Sequence, residues 1–118
     1  MAPANLIDGR AIARQLQVEL VQRIAALKAS GVQPGLAFVR VGEDAASKVY
    51  VGRKEKMCAE LGIVSETHVL PEQTSESELL ALIARLNADR RLHGILVQTP
   101  LPSHLRAGVV SASVLPEK

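Results

Sequence analysis

Aromatic side chains are nearly missing from this chain: among 118 residues only Phe38 and Tyr50 are aromatic, and there is no Trp. The core must therefore be aliphatic, built from Leu, Val, Ile and Ala. A base-stacking surface for single-stranded nucleic acid needs several aromatics, so no nucleic-acid partner is expected. Cysteine is as scarce. Cys58 stands alone, which excludes an internal disulfide framework and a cysteine-rich zinc site. No apolar run approaches the ~20 residues of a membrane span. The start, Met1-Ala2-Pro3-Ala4-Asn5, lacks the basic residues and apolar run of a signal peptide. A soluble cytoplasmic protein with no membrane partner is the expectation. A dominant charge is missing too: 14 Lys and Arg face 12 Asp and Glu, a net +2, too balanced to imply a polyanionic partner. Neither a Gly-x-Gly-x-x-Gly nor a Gly-x-x-x-x-Gly-Lys-Ser/Thr loop occurs, so no dinucleotide or nucleoside-triphosphate site is expected in these residues.

What is present reads as one ordinary globular domain. Hydrophobic residues make up 47% and charged residues 22%, a folding rather than a disordered balance. Such a chain should have a radius of gyration of roughly 13–14 Å and bury roughly 65% of its unfolded surface. Ile12, Leu16, Leu20, Ile24 and Leu27 form one apolar stripe at helical spacing, capped by Asp8 and stopped by Gly31. This predicts a helix over about 9–29. Leu36–Val41 is short, apolar and flanked by Gly35 and Gly42, as expected for a strand covered on both faces. Asp44 can cap a second helix over about 45–61, ended by Gly62. Ile63–Leu70 reads as a second strand. Ser75 and Glu78 make a capping box before a third helix carrying Leu79, Leu82, Ile83 and Leu86. Gly94–Gln98 is a third strand. Thr99-Pro100-Leu101-Pro102 is then an irregular loop, because two prolines in three residues prevent a regular ladder. A short helix is expected from Ser103 or His104 to about Ser113. Strands alternating with helices imply an α/β fold: a three-layer α-β-α domain with a mostly parallel sheet of at least three strands and βαβ crossovers. Ligands in such folds favour the crevice at the carboxyl ends of the strands. Here those ends are Gly42-Glu43-Asp44, the Leu70-Pro71 region and Gln98-Thr99-Pro100.

The most unusual pattern lies on the second helix. Tyr50, Lys54, Met57, Cys58 and Leu61 share one face, so a lysine sits inside an otherwise apolar stripe. Desolvation there disfavours its charged form and would suit it to acid, base or polarising work. The bland reading is that the Lys54 stem covers core while its head reaches water. Tyr50 reads either as a flat platform for an aromatic ligand or as an edge-of-core ring. Lys48, Arg53, Lys54 and Lys56 form a basic cluster that pattern alone assigns to a solvated helix face. Gln98 projects an amide into the expected crevice, where it can donate and accept. His68, His93 and His104 lack metal-ligand spacing and read as surface or turn residues. Cys58 reads as a small core residue. Ser47, one turn before Tyr50, says little alone.

Two segments carry a resemblance. Ala46-Ser47-Lys48-Val49-Tyr50-Val51-Gly52-Arg53-Lys54-Glu55-Lys56 resembles the Ala-Ser-x-x-Tyr-Val-x-x-Lys-x-Lys signature of the bifunctional methylenetetrahydrofolate dehydrogenase/methenyltetrahydrofolate cyclohydrolase family. Gly94-Ile95-Leu96-Val97-Gln98-Thr99-Pro100-Leu101-Pro102 resembles its Gly-Ile-Leu-Val-Gln-Leu-Pro-Leu-Pro signature, with Thr99 where the family usually has Leu. Ile7-Asp8-Gly9, Pro34–Ala37 and Leu115–Lys118 extend the likeness along the chain. The resemblance implies that Tyr50 stacks on the folate ring system, that Lys54 is the catalytic lysine of the cyclohydrolase step and that Gln98 hydrogen-bonds it. Pro100 and Leu101 would line the substrate, and Ser47 and Lys56 would support the site. It implies oxidation of 5,10-methylenetetrahydrofolate by NADP (sometimes NAD), then hydrolysis to 10-formyltetrahydrofolate, with no metal. In the family an Asp-Val-Asp-Gly-Phe-His segment and an NADP-binding Rossmann domain follow, and the whole enzyme is expected to be a homodimer. Residues 1–118 thus correspond to the tetrahydrofolate-binding catalytic domain, expected to lack dehydrogenase activity alone. The alternative is a non-enzymatic folate- or partner-binding module that keeps only this fold.

Overall fold

The computed structural model describes residues 2–118. Its elements run α1 (Gly9–Ala29), β1 (Gly35–Val41), α2 (Ala45–Leu61), β2 (Val64–Leu70), α3 (Glu76–Ala88), β3 (Gly94–Val97) and α4 (Ala107–Ser113). The caps explain the boundaries. Asp8 accepts from the Ala11 N–H at 3.1 Å and opens α1. At its far end the Val32 N–H reaches the Leu27 carbonyl and the Gly31 N–H the Lys28 carbonyl. That double closure needs the left-handed residue which Gly31 supplies at φ 90°. Ser75 accepts from the Glu78 N–H at 3.1 Å and opens α3.

The sheet has three strands, all parallel, in the order β2-β1-β3. Phe38 on the central strand sits opposite Thr67 of β2 and Leu96 of β3. Alternation along β1 divides the core in two. Ala37, Val39 and Val41 face Leu79, Leu82, Ile83 and Leu86 of α3, together with Leu105 and Val110. Phe38 faces Val51 and Cys58 of α2 across the other side. Helices therefore cover both faces, giving the expected three layers. The described residues contain no helix long and apolar enough to cross a membrane.

Three expectations need correction. The last helix begins at Ala107 rather than near residue 103. The Leu105 N–H closes a turn onto the Pro102 carbonyl, and Glu76 takes both the Arg106 backbone N–H and its guanidinium. Helical geometry can start only beyond these tertiary ties. The third strand ends at Val97, leaving Gln98 just past it. The overall dimensions differ most. The radius of gyration is 17.0 Å, not 13–14 Å. The accessible surface is 7996 Å², against about 6,200 Å² for a compact monomer of this mass. The cause is α1, about 31 Å long, which packs beside α2 rather than on the sheet. Of its apolar stripe only Ile24 is buried; Ile12, Leu16, Leu20 and Leu27 are 37–51% exposed.

A turn before β3 links charge to stability. The Asp89 carboxylate accepts from the Arg91 backbone N–H at 2.9 Å and from its guanidinium at 3.1 and 2.6 Å. The guanidinium bonds first, then the backbone N–H, draw the Asp89 carboxyl down to about 2. A folded value below the unfolded one means that the ionised form favours folding. The contribution is complete above about pH 4, the ordinary aspartate range, and is lost as pH falls toward 2. Melting temperatures of wild type and Asp89→Asn should therefore differ at neutral pH and converge near pH 2; a gap undiminished at pH 2 would contradict this.

Candidate active site

The site forms where the carboxyl ends of β1 and β3 meet the start of α2. Gly42 ends β1 at φ 84°, and a side chain there would strike the Glu72 carboxylate. The chain can then turn at once into α2, whose first turn is held by the Asp44 carboxylate accepting from the Ser47 N–H at 2.8 Å. The bond from that N–H holds the Asp44 carboxyl below its usual value. Glu43 pairs with Lys48 beside it and is likewise held low.

Ser47, Val51 and Cys58 form the inward stripe of α2, each under 5% exposed. Lys54 belongs to the same stripe by spacing and is half-buried. Its Nζ donates to Gln98 Oε1 at 2.7 Å, and Gln98 is itself 9% exposed. The other end of that amide donates from Nε2 to the Thr99 carbonyl at 3.0 Å. The Ser47 hydroxyl donates to the same carbonyl at 3.4 Å. Tyr50, one turn before Lys54, is 49% exposed, so its ring face is open to a ligand. Pro100 and Leu101 line a cavity of about 300 Å³ with Val41, Glu43, Asp44, Glu72 and Pro102. A larger hollow, about 470 Å³, opens at the opposite, amino end of the sheet and holds none of the candidate residues.

Lys54, Gln98 and Ser47 are thus joined by hydrogen bonds, with Tyr50 on the next turn and Pro100 and Leu101 in the adjoining loop. Lys56 is not brought to them: it is exposed and lies about 200° around the helix from Lys54. Cys58 is buried in the core, and burial pushes its thiol up. The histidines hold structure: His104 bonds the Thr74 carbonyl, and the Gly35 N–H donates to His93 Nδ1. Sequence reasoning undervalued Ser47. Its signal was the spacing Ser47, Val51, Lys54, Cys58, a stripe that the Tyr50-based reading missed.

The arrangement suits a flat, electron-poor ligand. Tyr50 offers a stacking face, and Lys54 offers a proton carrier held in place by a neutral amide. A dinucleotide does not fit these residues. The turn after β1 presents the Glu43 and Asp44 carboxylates, with Glu72 from the loop after β2 beside them, and the Ser47 N–H that a pyrophosphate would need is already capped.

The family described as "Tetrahydrofolate dehydrogenase/cyclohydrolase, catalytic domain" matches residues 7–118. Bifunctional protein FolD of Geotalea daltonii is 52% identical over 115 residues, covering 98% of this chain and 41% of that protein. Its counterpart in Caulobacter vibrioides is 52% identical over 119 residues, covering 100% and 40%. Among solved structures, the bifunctional methylenetetrahydrofolate dehydrogenase/cyclohydrolase FolD of Campylobacter jejuni superposes with a TM-score of 0.95 at 41% identity, covering 97% of this chain and 40% of that one. The Trypanosoma brucei enzyme, solved with NADP cofactor and inhibitor, gives 0.89 at 34% identity, covering 98% and 40%. The chain thus spans about two fifths of the length of these relatives.

Proposed function

The chain belongs to the tetrahydrofolate dehydrogenase/cyclohydrolase family, as its catalytic domain, and on that premise we propose that it binds a one-carbon tetrahydrofolate and hydrolyses the 5,10-methenyl form to 10-formyltetrahydrofolate. The observation that carries this reading is the Lys54 Nζ to Gln98 Oε1 bond at 2.7 Å beside an open tyrosine face. The methenyl carbon is an amidinium-like cation and already electrophilic. What it lacks is a water relieved of its proton. In the proposed step the water oxygen bonds to that carbon while a proton passes to Lys54. The carbon–N5 bond then breaks as the new hydroxyl becomes the formyl carbonyl. N5 takes up one proton and one proton leaves to solvent.

Gln98 keeps Lys54 aimed without adding a charge that would tie the ammonium down. Tyr50 stacks on the pterin, and Pro100 and Leu101 border it; Ser47 supports the loop, and Lys56 contributes charge at a distance. In whole proteins of the family the methylene form is oxidised by a pyridine nucleotide. The residues described here do not fit that cofactor, so the role proposed for them in the oxidation is to hold the folate. Tyr50→Ala should raise KM for methenyltetrahydrofolate hydrolysis about tenfold, the scale of one lost aromatic stack. Decay of the substrate's absorbance measures it. An unchanged KM overturns the Tyr50 assignment, and a wild-type protein that neither binds nor hydrolyses the substrate overturns the reading.

A further inference from the structure

The Gln98 amide has two ends of similar shape and opposite hydrogen-bonding character. Only one orientation serves Lys54, and something must choose it. Oε1 faces Lys54 Nζ at 2.7 Å, while Nε2 faces the Thr99 carbonyl at 3.0 Å. Turning the amide over would set two donors against each other at one end and two acceptors at the other. While Lys54 is an ammonium, it and the Thr99 carbonyl enforce this choice together; once Lys54 is a neutral amine, able to accept as well as donate, the Thr99 carbonyl is the group that still fixes it. It belongs to an exposed loop residue, so its own direction has to be held.

Ser47 is the group in place to hold it. It is 2% exposed, anchored through its N–H to the Asp44 cap. In the first turn of α2 it has no carbonyl of its own helix four residues back. Its hydroxyl instead reaches 52 residues along the chain to the Thr99 carbonyl at 3.4 Å. We propose that Ser47 is a positioning residue for hydrolysis: by pinning the Thr99 carbonyl it sets the Gln98 amide with its oxygen toward Lys54. A carboxamide oxygen accepts equally from an ammonium and from an amine. Lys54 is thereby kept in one place through both halves of its proton cycle, with its remaining positions free for water and substrate.

The inference rests on the proposed role of Lys54, and its test separates the two. The full chain is compared as wild type, Ser47→Ala, Gln98→Ala and the double variant, with Ser47→Cys as a volume-matched replacement whose thiol donates weakly. Ser47→Ala and Ser47→Cys should each lower kcat about fivefold, the scale of one hydrogen bond, with KM within about twofold of wild type. In the Gln98→Ala background Ser47→Ala should add less than about twofold, because the group it acts through is gone. The side-chain amide resonances of Gln98 in ¹H–¹⁵N spectra should shift or broaden in both Ser47 variants, whether or not substrate is turned over. Equal losses in both backgrounds, or Gln98 amide resonances unmoved in Ser47→Ala, overturn the proposal. Hydrolysis that survives loss of Lys54 rejects the reading of Lys54 instead, leaving the amide spectra to decide the role of Ser47.

Discussion

Lys54→Met should lower the rate of methenyltetrahydrofolate hydrolysis by about 10³-fold, within the range of a lost general acid–base group. Met keeps most of the stem volume and removes the nitrogen. KM should change little, because the stacking proposed for Tyr50 and the walls proposed at Pro100 and Leu101 would remain. The fold should survive. The main loss is the partner of the buried Gln98 oxygen, a cost of about 1 kcal/mol. Lys54→Arg sharpens the result. A guanidinium keeps the positive charge but does not give up its proton at working pH. If Lys54 carries protons, Arg should be nearly as inactive as Met. If it only supplies charge, Arg should restore most of the rate. Absorbance decay of the methenyl cation reports both, and wild-type turnover by Lys54→Met would end the assignment.

Ile83→Ala should cost about 3–4 kcal/mol, in the upper part of the range for emptying an aliphatic site. Ile83 is 0% exposed and packs in the cluster that joins α3 to Ala37, Val39 and Val41 of the central strand and to Val110 of α4. Phe38 is the only core aromatic and lies on the opposite face, so no ring is at hand to fill the hole, and the neighbouring leucines are already packed. Against a typical total of 5–15 kcal/mol, that is about a fifth or more of the stability of the domain. Ile12→Ala makes the contrast: at 49% exposure it should shift stability by less than about 0.5 kcal/mol. Urea titration of both would show a large fall in midpoint for the first and almost none for the second. Equal shifts would contradict the assignment of the core.

Local signals in the sequence were reliable where the deciding physics is local. Asp8, Gly31, Asp44, Gly62 and Ser75 mark helix ends because their bonds close within a few residues. The start of α4 was not legible, since it depends on Glu76 capturing Arg106 from 30 residues away. The stripe on α1 revealed a helix with an apolar side, but periodicity says nothing about what covers that side. Lys54 stood out because a charge in an apolar stripe is costly, and Gln98 because a strand end in a parallel sheet opens on the crevice. Ser47 did not stand out. A serine in a first turn is commonplace, and only the path of the loop after β3 gives its hydroxyl a distant acceptor.

The placement of α1 also sets how disturbance travels through the molecule. Ile24 and Lys28 of α1 lie against Gly62, at the C-terminal end of α2 and away from Asp44 and Ser47. A half-exposed helix fastened there opens at lower free energy than the sheet. Its fraying would reach α2 about two turns beyond Lys54. The amino end of α2 is fastened separately, by the Asp44 cap and the carbonyl beyond β3. The two ends of α2 are thus loaded differently: one bears the half-exposed helix, and the other is tied to the loop after β3.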